Sequence, residues 1–201
     1  MAVSGVGVGL YPAFDPDVQR YAVTTTADTA GSVTLELGSD DPGTAYLVDG
    51  RPVAATTTLE GLEDGQEVSV MFRDGGVVRA YALVYLPRDF PVLERTTPAP
   101  SEGPLEPGLT LLTLGKWLSP SLFYETAVDD NGVPAHVVAG LGATDLKRQP
   151  NGHYSVSRPT DLPRTGSAVV ELDDTLQEVD RHETVGLVNT GPMVVSGKLA
   201  L

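Results

Sequence analysis

The chain has 201 residues, enough for one domain or two small ones with a buried core, and 41% of them are hydrophobic, as expected of a soluble protein. Its formal net charge is −14, with 14 acids against 6 bases in residues 1–100 and 13 against 7 in residues 101–201; acidity this evenly spread excludes nucleic acid and anionic membranes as main partners. There is no cysteine, so disulfides, thiolate catalysis and Cys-based zinc sites are excluded, while 22 glycines and 16 prolines favour turns and short strands over long helices.

The N-terminus, Met1-Ala-Val-Ser-Gly-Val-Gly-Val-Gly-Leu10, lacks the basic start and long apolar run of a signal peptide. No stretch approaches the ~20 apolar residues of a membrane span. The expectation is a soluble chain with no membrane insertion and no export signal as written. Gly5 to Gly9 superficially matches a dinucleotide loop, but no strand precedes it, no helix follows and Pro12 intervenes, so no cofactor is expected. Strand-like runs follow at Tyr21–Thr26, Val33–Leu37, Ala45–Val48 and Val68–Phe72, with Val77–Leu86 as the partner of the last. Asp49-Gly50 and Asp74-Gly75-Gly76 separate such runs, and Asp-Gly in that place signals a tight hairpin of type I′. The pattern predicts an antiparallel β-sandwich over residues 1–90.

Leu10-Tyr-Pro-Ala-Phe-Asp-Pro-Asp17 with Arg20-Tyr-Ala-Val23, and the closing Val78-Arg-Ala-Tyr-Ala-Leu-Val-Tyr85, resemble the ends of the cadherin-like β-sandwich domains of bacterial proteins. The resemblance covers about 80 residues and implies a spacer or adhesion module.

Residues 91–108 carry Pro91, Pro98, Pro100, Pro104 and Pro107 among Ser, Glu and Gly and read as a semi-extended linker. Beyond it, residues 109–201 hold strand-like runs at Leu109–Leu114, Leu122–Val128 and Val133–Ala139, a hairpin over Asp145–Val156, and a strand at Val169–Leu172. The endings Ala127-Val-Asp-Asp and Val170-Glu-Leu-Asp-Asp place Val128 and Leu172 44 positions apart. A strand-rich repeat of about 40–45 residues is the spacing of a β-propeller blade. Roughly two such units fit, where a closed propeller takes about 4–8. The expected fold is all-β: a sandwich, a Pro-rich linker and the antiparallel sheets of an incomplete β-propeller.

Tyr124–Gly132, Asp145–Val156, Val169–Asp174 and Thr184–Thr190 resemble the start of the propeller in bacterial aryl-sulfate sulfotransferases. In that family a β-sandwich also precedes a six-bladed propeller. The resemblance implies sulfuryl transfer between phenols through a sulfated histidine, and an exported protein. Family members continue into an Asp-x-His-Asp segment, whereas here Gly191 to Leu201 follows Thr190 and no histidine lies beyond His182. No catalytic residue is carried over.

Of the three histidines, His136 lies in Val133-Pro-Ala-His-Val-Val138, His153 follows the Pro150-Asn-Gly152 turn, and His182 stands in Asp180-Arg-His-Glu183. Their spacing matches no metal motif, and each reads as a packing or surface residue. Ser39–Gly43, Asp49-Gly50, Glu63–Gly65, Asp129–Gly132 and Asp173-Asp174 offer oxygens to calcium only if two or more converge; turn formation accounts for them. No metal is expected. Ser119 and Ser121 flank Pro120 without a nucleophile-elbow motif, and Trp117 reads as core. The chain is expected to be the N-terminal part of a sulfotransferase-like protein, inactive as it stands. It would meet aryl sulfates or phenols only if its propeller were completed, and would self-associate through open sheet edges. The alternative is a self-contained binding or adhesion module.

Overall fold

A computed structural model of the chain describes residues 1–88, 90–93, 108–115, 123–139, 142–160 and 167–183, and none of these is helical. The fold is all-β, built of several sheets, and among the described residues none closes into a barrel. Two compact units divide the chain, Met1–Leu109 with Val128–Ala135, and Thr110–Ala127 with His136–Leu201. Residues 94–107 of the Pro-rich stretch lie outside the described residues, as do Trp117, Ser119, Ser121 and the expected strand Thr184–Thr190.

The first unit holds β1 (Ala2–Ser4), β2 (Gly9–Tyr11), β3 (Arg20–Thr24), β4 (Val33–Glu36), β5 (Ala45–Val48), β6 (Arg51–Val53), β7 (Thr56–Leu59), β8 (Glu67–Asp74) and β9 (Val77–Tyr85). They form one sheet in the order β1-β4-β7 and a second in the order β2-β3-β9-β8-β5-β6. Alternation decides the faces: Val33 and Leu35 of β4 are buried while Glu36 is exposed, and Val68 and Val70 of β8 are buried. Val33, Leu35 and Leu37 meet Tyr21, Val23, Val48, Val70, Leu83 and Tyr85 in one core, so the sheets pack face to face as a sandwich.

Asp49 and Gly50 have φ of 47° and 75° and join Val48 to its partner Arg51, the two-residue type I′ hairpin read from the sequence. The Asp49 side chain also accepts the Ser69 amide at 2.8 Å, fixing that turn to β8. One pairing departs from the antiparallel expectation. β3 runs parallel to β9, with Tyr21 opposite Leu83 and Val23 opposite Tyr85. Parallel neighbours need a long crossover, and here the connection is the whole run from β4 to β8.

The Pro-rich opening is fastened by Tyr21, whose hydroxyl donates to the Asp15 carbonyl and accepts the Asp15 amide at 3.1 Å. Burial pushes the Tyr21 phenol above its ordinary value. Phe14 packs 5.6 Å from Tyr21 and 5.5 Å from Tyr81, while the Tyr85 hydroxyl accepts the Gly31 amide at 3.1 Å.

The second set of strands is β10 (Thr110–Gly115), β11 (Phe123–Val128), β12 (Pro134–Ala139), β13 (Thr144–Arg148), β14 (Tyr154–Pro159), β15 (Ser167–Leu172) and β16 (Glu178–Glu183). β10-β11-β12 form a three-stranded sheet, and β13-β14-β15-β16 a four-stranded antiparallel meander. The 44-residue offset holds strand by strand. β14, β15 and β16 begin and end 44 positions after β10, β11 and β12. Leu111 and Ala127 of the smaller sheet pack against Leu146, Val156, Val170 and Leu172 of the meander.

Three turns share one backbone: Asp129–Val133, Gln149–His153 and Asp173–Gln177. In each, the first N–H donates to the fifth carbonyl, at 2.9, 2.8 and 2.9 Å, and the first carbonyl accepts from the fourth N–H, at 3.0, 3.0 and 3.1 Å. The fourth residue must adopt positive φ; it is Gly132 at 77°, Gly152 at 90° and Leu176 at 63°. Such a turn followed by a left-handed residue suits three-residue hairpin loops.

Candidate functional site

A cluster of charged side chains in the second unit centres on Glu125, in the middle of β11 and only 1% exposed. Alternation along Phe-Tyr-Glu-Thr-Ala-Val does not keep it outside, because every residue from Tyr124 to Val128 is buried. A carboxylate so placed needs partners. Arg158 of β14 supplies a fork, with Nε donating to Oε2 at 2.9 Å and Nη2 to Oε1 at 2.7 Å. His136 of β12 adds Nε2 at 3.3 Å from Oε1. Arg158 Nη1 also donates to Glu178 at 3.0 Å, and Glu178 accepts Arg181 Nε at 2.8 Å. The chain of charges therefore runs from one repeat to the next, through Arg158.

Burial alone pushes Glu125 upward, but hydrogen bonds from His136 and Arg158, with the Arg158 charge, outweigh it and hold the carboxyl below the ordinary glutamate range. An ionised carboxylate with both oxygens engaged has no proton to give and little basicity. The arrangement is a clamp between sheets.

A second pairing joins the Gln149–His153 turn to β15. His153 Nδ1 lies 2.7 Å from Glu171 Oε1, which also accepts Asn151 Nδ2 at 2.9 Å. Beside it, Gln149 donates to the Ser155 hydroxyl. His182, on exposed β16, has Nε2 3.1 Å from Asp180. Each histidine is thus engaged by a carboxylate of its own, and the structure brings none of them together. No group of three His, Asp or Glu side chains among the described residues is placed to hold a metal.

The acidic turns serve the backbone. Asp129 Oδ1 accepts the Asn131 and Val133 amides at 2.8 and 2.9 Å. Asp173 Oδ1 accepts those of Thr175 and Gln177 at 2.9 and 3.0 Å; together with the Thr175 hydroxyl these bonds hold its carboxyl low. Asp41 Oδ1 caps Gly43 at 2.7 Å. No local pattern marks the Glu125–Arg158 pair: Glu125 lies inside a strand-like run, but its partner is 33 positions away.

Comparison with protein-family models, with curated proteins and with solved structures finds no match to this chain.

Proposed function

We propose that the chain is a non-catalytic β scaffold of the aryl-sulfate sulfotransferase type, in which an accessory sandwich precedes the first blades of a propeller. The observation that carries this reading is the repeat, with three strands recurring 44 positions on in the same order and the same turn backbone at Asp129 and Asp173. That spacing lies within the blade range, and blades are four-stranded antiparallel sheets. The three histidines pair with three different carboxylates, which supports a scaffold without sulfuryl transfer of its own, since that reaction needs cationic groups gathered around the sulfated nucleophile. Aryl sulfates and phenols would become substrates only with further blades. The purified chain should release no nitrophenol from 4-nitrophenyl sulfate above the buffer rate. Turnover that disappears in His153→Ala or His182→Ala would overturn the proposal.

The second reading, a self-contained binding module, is favoured by the core that the two sheets of the second unit already share. Light scattering after size exclusion separates the two. Open blades present unpaired edges and should associate as concentration rises, whereas a closed module stays monomeric.

A further inference from the structure

The first unit contains a groove of about 680 Å³, a size that suits a small ligand or a single long side chain. Its aromatic wall is Phe14, Phe72 and Tyr81. Phe72 stands 5.6 Å from Tyr81 at 88°, and Phe14 stands 5.5 Å from Tyr81 at 68°, so the rings present their faces in different directions. Tyr81 is 5% exposed and its hydroxyl reaches the Pro16 carbonyl at 3.4 Å, so it backs the half-buried rings of Phe14 and Phe72. The Gly38–Asp41 loop and Asp74, at the end of β8, also line the groove. Asp40, Asp41 and Asp74 stand against one lining cation, Arg79. Asp41 is partly committed to its own loop through Gly43, whereas Asp40 and Asp74 are exposed.

Aromatic faces attract cations through the ring quadrupole, and neighbouring carboxylates add a direct charge attraction. The geometry points to this groove as a docking site for a cationic side chain, an arginine or lysine presented by a basic partner protein. The net charge of −14 would draw such a partner in over long range. Neither the groove nor its ligand depends on the propeller reading, because all of its residues belong to the first unit.

The test is ligand-observed saturation-transfer NMR on the full chain with the peptide acetyl-Gly-Arg-Gly-amide and its citrulline counterpart, which keeps the shape and loses the charge. The arginine peptide should bind in the millimolar range. Binding should weaken about tenfold in Asp40→Asn/Asp74→Asn, a change confined to exposed isosteric positions, and fall as salt is raised toward 0.5 M. Equal binding of the citrulline peptide, unchanged binding by the double variant, or no signal from the arginine peptide would each overturn the assignment. A signal from methyl glucoside without one from the arginine peptide would also overturn it, in favour of a sugar site.

Discussion

At Leu176 two requirements conflict. The turn needs positive φ there, which its counterparts Gly132 and Gly152 meet without a side chain, yet Leu176 is 8% exposed and belongs to the core beside Leu172. A left-handed leucine costs about 1–2 kcal/mol of backbone strain, and burying its side chain returns about 1.5–3 kcal/mol. Burial prevails, by a narrow margin. Leu176→Ala would keep the strain and lose most of the burial, whereas Leu176→Gly would lose both. The glycine variant should therefore be the more stable of the two by about 1 kcal/mol in urea denaturation, the reverse of the usual order. An alanine variant equal to or better than the glycine one would refute this. Glu125 gives a second prediction at this scale. Its folded pKa is lowered below the ordinary value of 4.5, so its contribution is complete above the unfolded value and is lost as pH falls through the folded one. Replacing it with Gln removes the charge that Arg158 faces, and should destabilise by about 2–3 kcal/mol at neutral pH, since Arg158 retains Glu178. The gap between wild type and Glu125→Gln should narrow in melts taken progressively below pH 4.5, and a gap independent of pH would contradict the pairing.

Among elements, burial follows position in the meander. All six residues of β15 are buried between β14 and β16, while five of the six in β16 are exposed, Val179 among them at 53%. Amides of Ala168–Glu171 should exchange with deuterium at least about tenfold more slowly than those of β16; comparable protection along both strands would argue against the assigned order. The strands that could be read from the sequence were those with local signals. Val33–Glu36, Ala45–Val48 and the β8–β9 hairpin show alternation, β-branched residues and Asp-Gly or Gly-Gly turns, and the 44-residue spacing was visible in the two Asp-Asp endings. β1 and β2 carry no legible signal, because each is three residues long, β1 running into Gly5 and β2 opening on Gly9. β7, Thr-Thr-Thr-Leu, has little alternation in hydrophobicity and is defined by its pairing with β4. The parallel partnership of β3 with β9 and the meeting of His153 with Glu171 depend on which distant segments come together. No local pattern records that choice. The acidic turns were legible as turns, but it took the hydrogen bonds of Asp129 and Asp173 to show what their carboxylates hold.

For the molecule as a whole, the decisive feature is that among the described residues the two hydrophobic clusters have no residue in common. One draws on residues from Tyr21 to Tyr85 and the other on residues from Ala127 to Leu176. Cooperativity in small proteins comes from a shared core, so two separate cores imply two unfolding events. Leu35 is fully buried in the first and Leu172 is 1% exposed in the second. Truncating either to alanine should cost about 2–5 kcal/mol, and in a unit of this size that lowers the midpoint by roughly 10 °C or more. Calorimetry of wild type, Leu35→Ala and Leu172→Ala should therefore resolve two transitions, with each variant shifting one and leaving the other within about 1 °C. The transition moved by Leu172→Ala should also be the one lowered by Glu125→Gln, since both residues lie in the second unit. A single transition displaced equally by both leucine variants would mean that the sandwich and the repeat sheets fold as one body, and the accessory role proposed for the sandwich would fall with it.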